Sequence, residues 1–170
     1  MKSSYLENLK SQISEHAPKL HQLSDESMQK TVRPGGWSGK ETLGHLTDSA
    51  AMNRQRMVRS QYEEVYEFPS YDQAKWVAIQ AYNTYAWENL VTLWTFEYQH
   101  LIHMLENLPD QSAFDKCPVK FESKEFIRLD WLVGHIYRHN DHHLRQIYYL
   151  VGESDLPDPR KLNEPIQALP

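Results

Sequence analysis

The stretch from Trp131 to Gly152, WLVGHIYRHNDHHLRQIYYLVG, constrains the chain more than any other. It has no proline, its only interior glycine is Gly134, and Gly152 closes it, so the pattern predicts one long helix. At roughly 100° per residue, Leu132, His135, His139, His143, Gln146 and Leu150 fall within about 40° of one line, while Arg138, Asp141, Arg145 and Tyr148 point elsewhere. The imidazoles therefore occupy the stripe that a packed helix buries.

A single histidine on an apolar face is usually a hydrogen-bonded core residue. Three in register are costly to bury, because each neutral ring brings a donor and an acceptor, unless something coordinates them. Side chains at i and i+4 lie over adjacent turns roughly 6 Å apart, and their nitrogens can converge at about 2.0–2.1 Å from a zinc-like ion. His139 and His143 have this spacing, and so do His135 and His139. His142 lies off the line and reads as a flanking residue.

Upstream, residues 3 to about 22 carry Tyr5, Leu6, Leu9, Ile13 and Leu20 at helical spacing, with Pro18 a kink or break near the end. Ser24 can cap a short turn through Met28 and Lys30, and RPGGW reads as a loop. Ser38 with Glu41 forms a capping box, so a second helix should begin near Ser38. Its apolar side is Leu43, Leu46, Ala50 and Met57, while His45 sits with Glu41, Asp48, Ser49, Met52 and Arg56 on a boundary face that is neither core nor solvent.

FPSYDQ marks a break, and Ala74 to Leu108 reads as a third helix with room for a short one before it. His100 and His103 on that helix read as structural or surface residues, and Trp76, Trp87 and Trp94 as core or a dimer face. Residues 109–130 form an irregular connector containing Cys117, an inert thiol in this reading. The expected organisation is one domain over 1–152, an all-α four-helix bundle with no strand, and a tail over 153–170 with four prolines in eighteen residues. In such a bundle, one ligand from the second helix and two from the fourth would make a three-histidine site with open positions.

A net charge of −5 without a basic stripe argues against nucleic acid. No segment approaches the roughly 20 apolar residues of a membrane span, and MKSSYLENLK lacks the centre of a signal peptide. With a lone cysteine, the expectation is a cytoplasmic protein.

The pairing of GGWSGKETLGHLTDS with WLVGHIYRHNDHHLRQI resembles the DinB-like superfamily, which includes YfiT-type proteins. The matching positions are Trp37 and Ser38, His45 and Leu46, then His139, His143 and Gln146, and the resemblance spans roughly residues 3–152. It implies a four-helix bundle holding a divalent metal, zinc or nickel, on His45, His139 and His143, with His135 and Gln146 beside the ligands. It also implies homodimers and a small-molecule substrate. Better-understood branches resemble thiol S-transferases or isomerases that use low-molecular-weight thiols such as bacillithiol or mycothiol. The expected activity is therefore metal-dependent thiol transfer or hydrolysis. Asp48, one turn beyond His45, would orient a ligand or accept a proton, and Arg56 would bind an anionic group of substrate or thiol. The rival readings are a metal-binding bundle without turnover and a helical interaction protein whose histidines are core.

Overall fold

A computed structural model of the chain describes residues 4–63, 66–68, 70–108, 119–121 and 126–152. Helix α1 (Ser4–Leu20) buries Leu6, Leu9, Ile13 and Leu20, and Pro18 falls in its last turn, close to where the helix stops. Ser24 Oγ accepts the amide of Ser27 and opens a short 3-10 turn, Ser27–Gln29. Helix α2 (Gly39–Arg59) starts at the capping box: Ser38 Oγ accepts the Glu41 amide at 3.1 Å, and Glu41 Oε2 accepts the Ser38 amide at 2.8 Å. Such a cap contributes about 1 kcal/mol.

The expected third helix is divided. Helix α3 (Gln73–Gln80) stops at Ala81, whose φ of 52° and ψ of 42° are left-handed. A 3-10 turn (Tyr82–Thr84) follows, and then α4 (Trp87–Glu106). The last helix, α5 (Leu129–Tyr149), carries the histidine stripe. Three short strands, β1 (Tyr66–Phe68), β2 (Val119–Phe121) and β3 (Phe126–Ile127), were not expected. Tyr66 pairs with Val119 in parallel, and Val119 pairs with Ile127 antiparallel. Two or three residues are too few to show a period-2 pattern. The connector around Cys117 and the 153–170 tail lie outside the described residues.

The helices pack as a square in which α1 touches α4 and α5, and α2 touches the same two. Residue pairs give the directions. Gln12 bonds to Asn140 and His16 to Tyr148, so α1 and α5 run parallel. Arg54 pairs with Glu97 while Trp87, at the start of α4, and Lys40 both hold Asp25, so α2 and α4 run parallel as well. Lys10 pairs with Glu106 and Trp87 Nε1 donates to the Leu20 carbonyl, which makes α1 and α4 antiparallel. The result is a four-helix bundle in which consecutive α1 and α2 lie on a diagonal, as do α4 and α5.

Leu9, Leu43, Leu46, Leu90, Trp94, Tyr98, Leu101 and Leu129 fill the interior with no exposed surface. One polar relay crosses it: Trp94 Nε1 donates to Asn140 Oδ1 at 3.3 Å, and Asn140 Nδ2 donates to Gln12 Oε1 at 2.9 Å. Trp87 and Trp94 are core, whereas Trp76 is 36% exposed and His100 and His103 lie on the surface. No helix among the described residues is long and apolar enough to cross a membrane.

Candidate metal centre

Helix α2 has two buried sides because it meets two partners. Leu43, Leu46, Ala50 and Met57 lie at 0% exposure on one side, and His45 reaches α5 from the other. His45 is only 1% exposed, so the boundary position expected for it is a buried one. Because α2 and α5 run antiparallel, the third turn of α5 meets it there: His45 Nε2 and His139 Nε2 are 3.1 Å apart. One ring nitrogen from each of His45, His139 and His143 lies within 4.8 Å of the other two. Ring centroids are 5.0 Å apart for His45 with His139 and with His143, and 4.7 Å for His139 with His143.

The protonation pattern can be read from the neighbours. His143 Nδ1–H donates to Gln146 Oε1 at 2.8 Å, which leaves its Nε2 with a lone pair. The amide of Gln146 is oriented in turn by its own N–H bond to His142 Nε2 at 3.1 Å. Burial pushes His45 down to about 4. It also pushes His143 down to about 3, with the charge of His45 adding to the effect. His139 is held well below its usual value by burial and then by the surrounding histidines. All three rings are therefore neutral at pH 7 and carry the lone pairs that cation binding requires.

These residues fit a divalent cation. Two nitrogens 3.1 Å apart suit a shared ion at about 2.0–2.1 Å from each. His45 Nδ1 is buried with no hydrogen-bond partner among the described residues. With the proton on Nδ1, the lone pair of His45 is on Nε2, the nitrogen that faces His139. Three nitrogen donors without a carboxylate or thiolate leave a cation with positions to spare, as in open zinc-type sites.

The remaining candidates surround this trio. His135 stacks between Trp131 and His139, with centroids at 5.4 and 6.0 Å, and contributes no nitrogen to the three-histidine group. Trp37 covers His45 at 4.8 Å. Asp48 turns from the histidines toward α3: its Oδ1 accepts from Gln80 Nε2 and from Tyr82 Oη, each at 2.7 Å, while Oδ2 is buried without a partner among the described residues. Arg56 is 8% exposed, bonds to Asn53 Oδ1, and its charge helps to depress His135. Tyr82 and the His142 bond to Gln146 escaped the reading of the sequence. The one trace of Tyr82 was Gly44, an interior helix glycine with no local reason to be there.

This fold and these residues have relatives. A Bacillus subtilis protein named "Putative metal-dependent hydrolase YfiT" is 27% identical over 141 residues, which cover 80% of this chain and 79% of that one. "Putative metal-dependent hydrolase OB0413" of Oceanobacillus iheyensis is 36% identical over 61 residues, 36% of this chain and about a third (35%) of that protein's length. The structure described as "YfiT from Bacillus subtilis is a probable metal-dependent hydrolase with an unusual four-helix bundle topology" superposes with a TM-score of 0.72 at 23% identity, covering 88% of this chain and 87% of that one. It shares the fold. The family model of the DinB superfamily matches residues 9–147, from α1 through α5 and across every histidine of the trio, so the chain belongs to the DinB superfamily.

Proposed function

We propose that this protein is a metal-dependent hydrolase acting on a small molecule, with His45, His139 and His143 holding one divalent cation, zinc or nickel. The observation that carries the reading is the convergence of three neutral imidazoles from two helices, His45 buried and His139 and His143 half-buried, their nitrogens within 4.8 Å of one another. The names of the relatives agree with it. When bound, such an ion polarises a substrate oxygen and lowers the pKa of a coordinated water from about 15.7 towards about 7, or holds a low-molecular-weight thiol ionised for transfer.

The chain supplies the rest. Gln146 fixes the tautomer of His143, Trp37 shields His45 from solvent, and Arg56 offers a fixed positive charge near His135 for an anionic group of the substrate. Asp48, expected as a proton acceptor, faces α3 instead, and its part in this scheme is to tie α2 to Gln80 and Tyr82.

The test is elemental analysis of protein purified without a nickel column, beside His45→Ala and His139→Ala. About one ion per chain, lost in both variants, is expected, followed by hydrolysis of an ester and amide panel by the loaded protein. Transfer of a thiol to an electrophile without hydrolysis would select the thiol S-transferase instead. No ion in the wild type after supplying zinc, nickel and manganese in turn would overturn the metal reading.

A further inference from the structure

Three contacts converge on the first turns of α2 from a single elbow of chain. Ala81, a non-glycine residue in the left-handed region at φ 52°, ends α3 and swings the following residues inward. Tyr82 enters with 5% exposure, and its ring lies close against Gly44. A Cβ on Gly44 would stand 2.1 Å from Tyr82 Cδ2, so the ring occupies the space that any other residue would fill. Its hydroxyl reaches Asp48 Oδ1 at 2.7 Å, where Gln80 Nε2 also donates at 2.7 Å. Asn83 Oδ1 accepts a hydrogen bond from Ser38 Oγ, the cap of α2.

The elbow thus touches α2 at Ser38, Gly44 and Asp48, on both sides of His45 in sequence. On α5 the corresponding contacts come from α1, where Gln12 bonds to Asn140 and the Tyr5 ring lies close against Gly134, while His143 is held by Gln146. The separation between His45 and His139, 3.1 Å, depends on where α2 stands relative to α5. A metal site tolerates an error of only about 0.5 Å in its donors. An interior glycine weakens a helix, and its presence one residue before His45 is explained by the ring that needs the room.

We infer that Tyr82 is a positioning residue for the three-histidine centre: with Gln80 and Asn83 it clamps the Ser38–Asp48 segment of α2 and sets where His45 and Asp48 stand. This rests on the metal reading above. The phenol hydroxyl bonds to Asp48 and Gln80, so Tyr82 acts through the backbone of Gly44 and the carboxylate of Asp48. Its removal should change how the ion is held, beyond any change in how stably the chain folds.

The test uses the full chain, stripped of metal and reloaded with cobalt(II), read by its d–d absorption and by its dissociation constant against a competing chelator. Tyr82→Phe keeps the ring and deletes the hydroxyl. Gly44→Ala drives a methyl into the ring without altering a polar group. Leu105→Ala, at the far end of α4, is the benchmark for lost stability alone. The expected result is about tenfold weaker cobalt binding in Tyr82→Phe, the lower end of the 10–100-fold losses seen when outer partners of a ligand are removed. Gly44→Ala should lose more and shift the band, while Leu105→Ala melts earlier with an unchanged band and constant. Wild-type binding and spectrum in both Tyr82→Phe and Gly44→Ala would overturn the positioning role while leaving the metal site intact. Failure of the wild type itself to take up cobalt would overturn the metal reading, and the positioning role with it.

Discussion

The metal-free protein should lose stability between pH 8 and pH 5, and His45 should account for a measurable share. In the unfolded chain its imidazole titrates near 6.5, and in the folded chain burial pushes it down to about 4. Between these values the unfolded state binds the proton and the folded state does not, so acid favours unfolding. The stabilisation is complete above pH 6.5 and is lost as pH falls towards 4. At pH 5 the difference amounts to about 2 kcal/mol, because the unfolded ring is almost fully protonated and the folded ring only about one tenth so. His143, pushed down to about 3, contributes a similar amount at that pH.

The assay is urea unfolding of chelator-treated wild type, His45→Ala and His143→Ala at both pH values. Each alanine leaves a cavity whose cost is the same at pH 8 and pH 5, so it cancels when the two are subtracted. Asp48, with its pKa raised by burial, opposes the trend but is present in every protein compared. The wild type should lose about 2 kcal/mol more than either variant on acidification. Equal losses, within about 0.5 kcal/mol, would refute the claim that these rings are buried neutral.

Three further outcomes are expected. Replacing Asn140 by Leu leaves Gln12 Oε1 and Trp94 Nε1 buried without their partner, which should cost about 2–6 kcal/mol in urea unfolding, and an unchanged midpoint would count against the relay. Gln146→Ala should weaken metal binding 10–100-fold in a chelator competition, whereas Gln146→Glu, which keeps an oxygen for His143 Nδ1–H, should lose less; equal losses would refute the role given to that bond. Protein loaded at about 100 times the dissociation constant should gain about 2.7 kcal/mol, or roughly 5–11 °C in Tm, and lose it to chelator, while His45→Ala should show no such shift by calorimetry.

The histidine stripe on α5 was legible because one helix imposes a period that any sequence displays, and because four histidines in so short a run have few structural uses. The start of α2 was legible for the same local reason, since Ser38 and Glu41 form a cap that needs no tertiary partner. The choice between His135 with His139 and His139 with His143 was not a local matter. Either pair has the spacing, and the one that meets His45 is decided by how far α2 slides along α5. That register is set by contacts distant in sequence, such as Leu150 against Gly39 at the end of α5.

His45 itself was misplaced for a related reason. A helical projection with one apolar stripe suits a helix with one partner, whereas α2 lies between α4 and α5 and buries Leu43 against one side and His45 against the other. A polar residue on the second buried side looks like a boundary residue until that partner is known. Tyr82 was hidden more completely, because Ala81 adopts a left-handed turn without the glycine or asparagine that announces one. What the sequence did hold was the complementary gap: a glycine in the middle of a capped helix, one residue from a candidate ligand. Such a glycine is a cost to its own helix, so it marks a place where another part of the chain must come close, and here that part bears on the helix that carries His45.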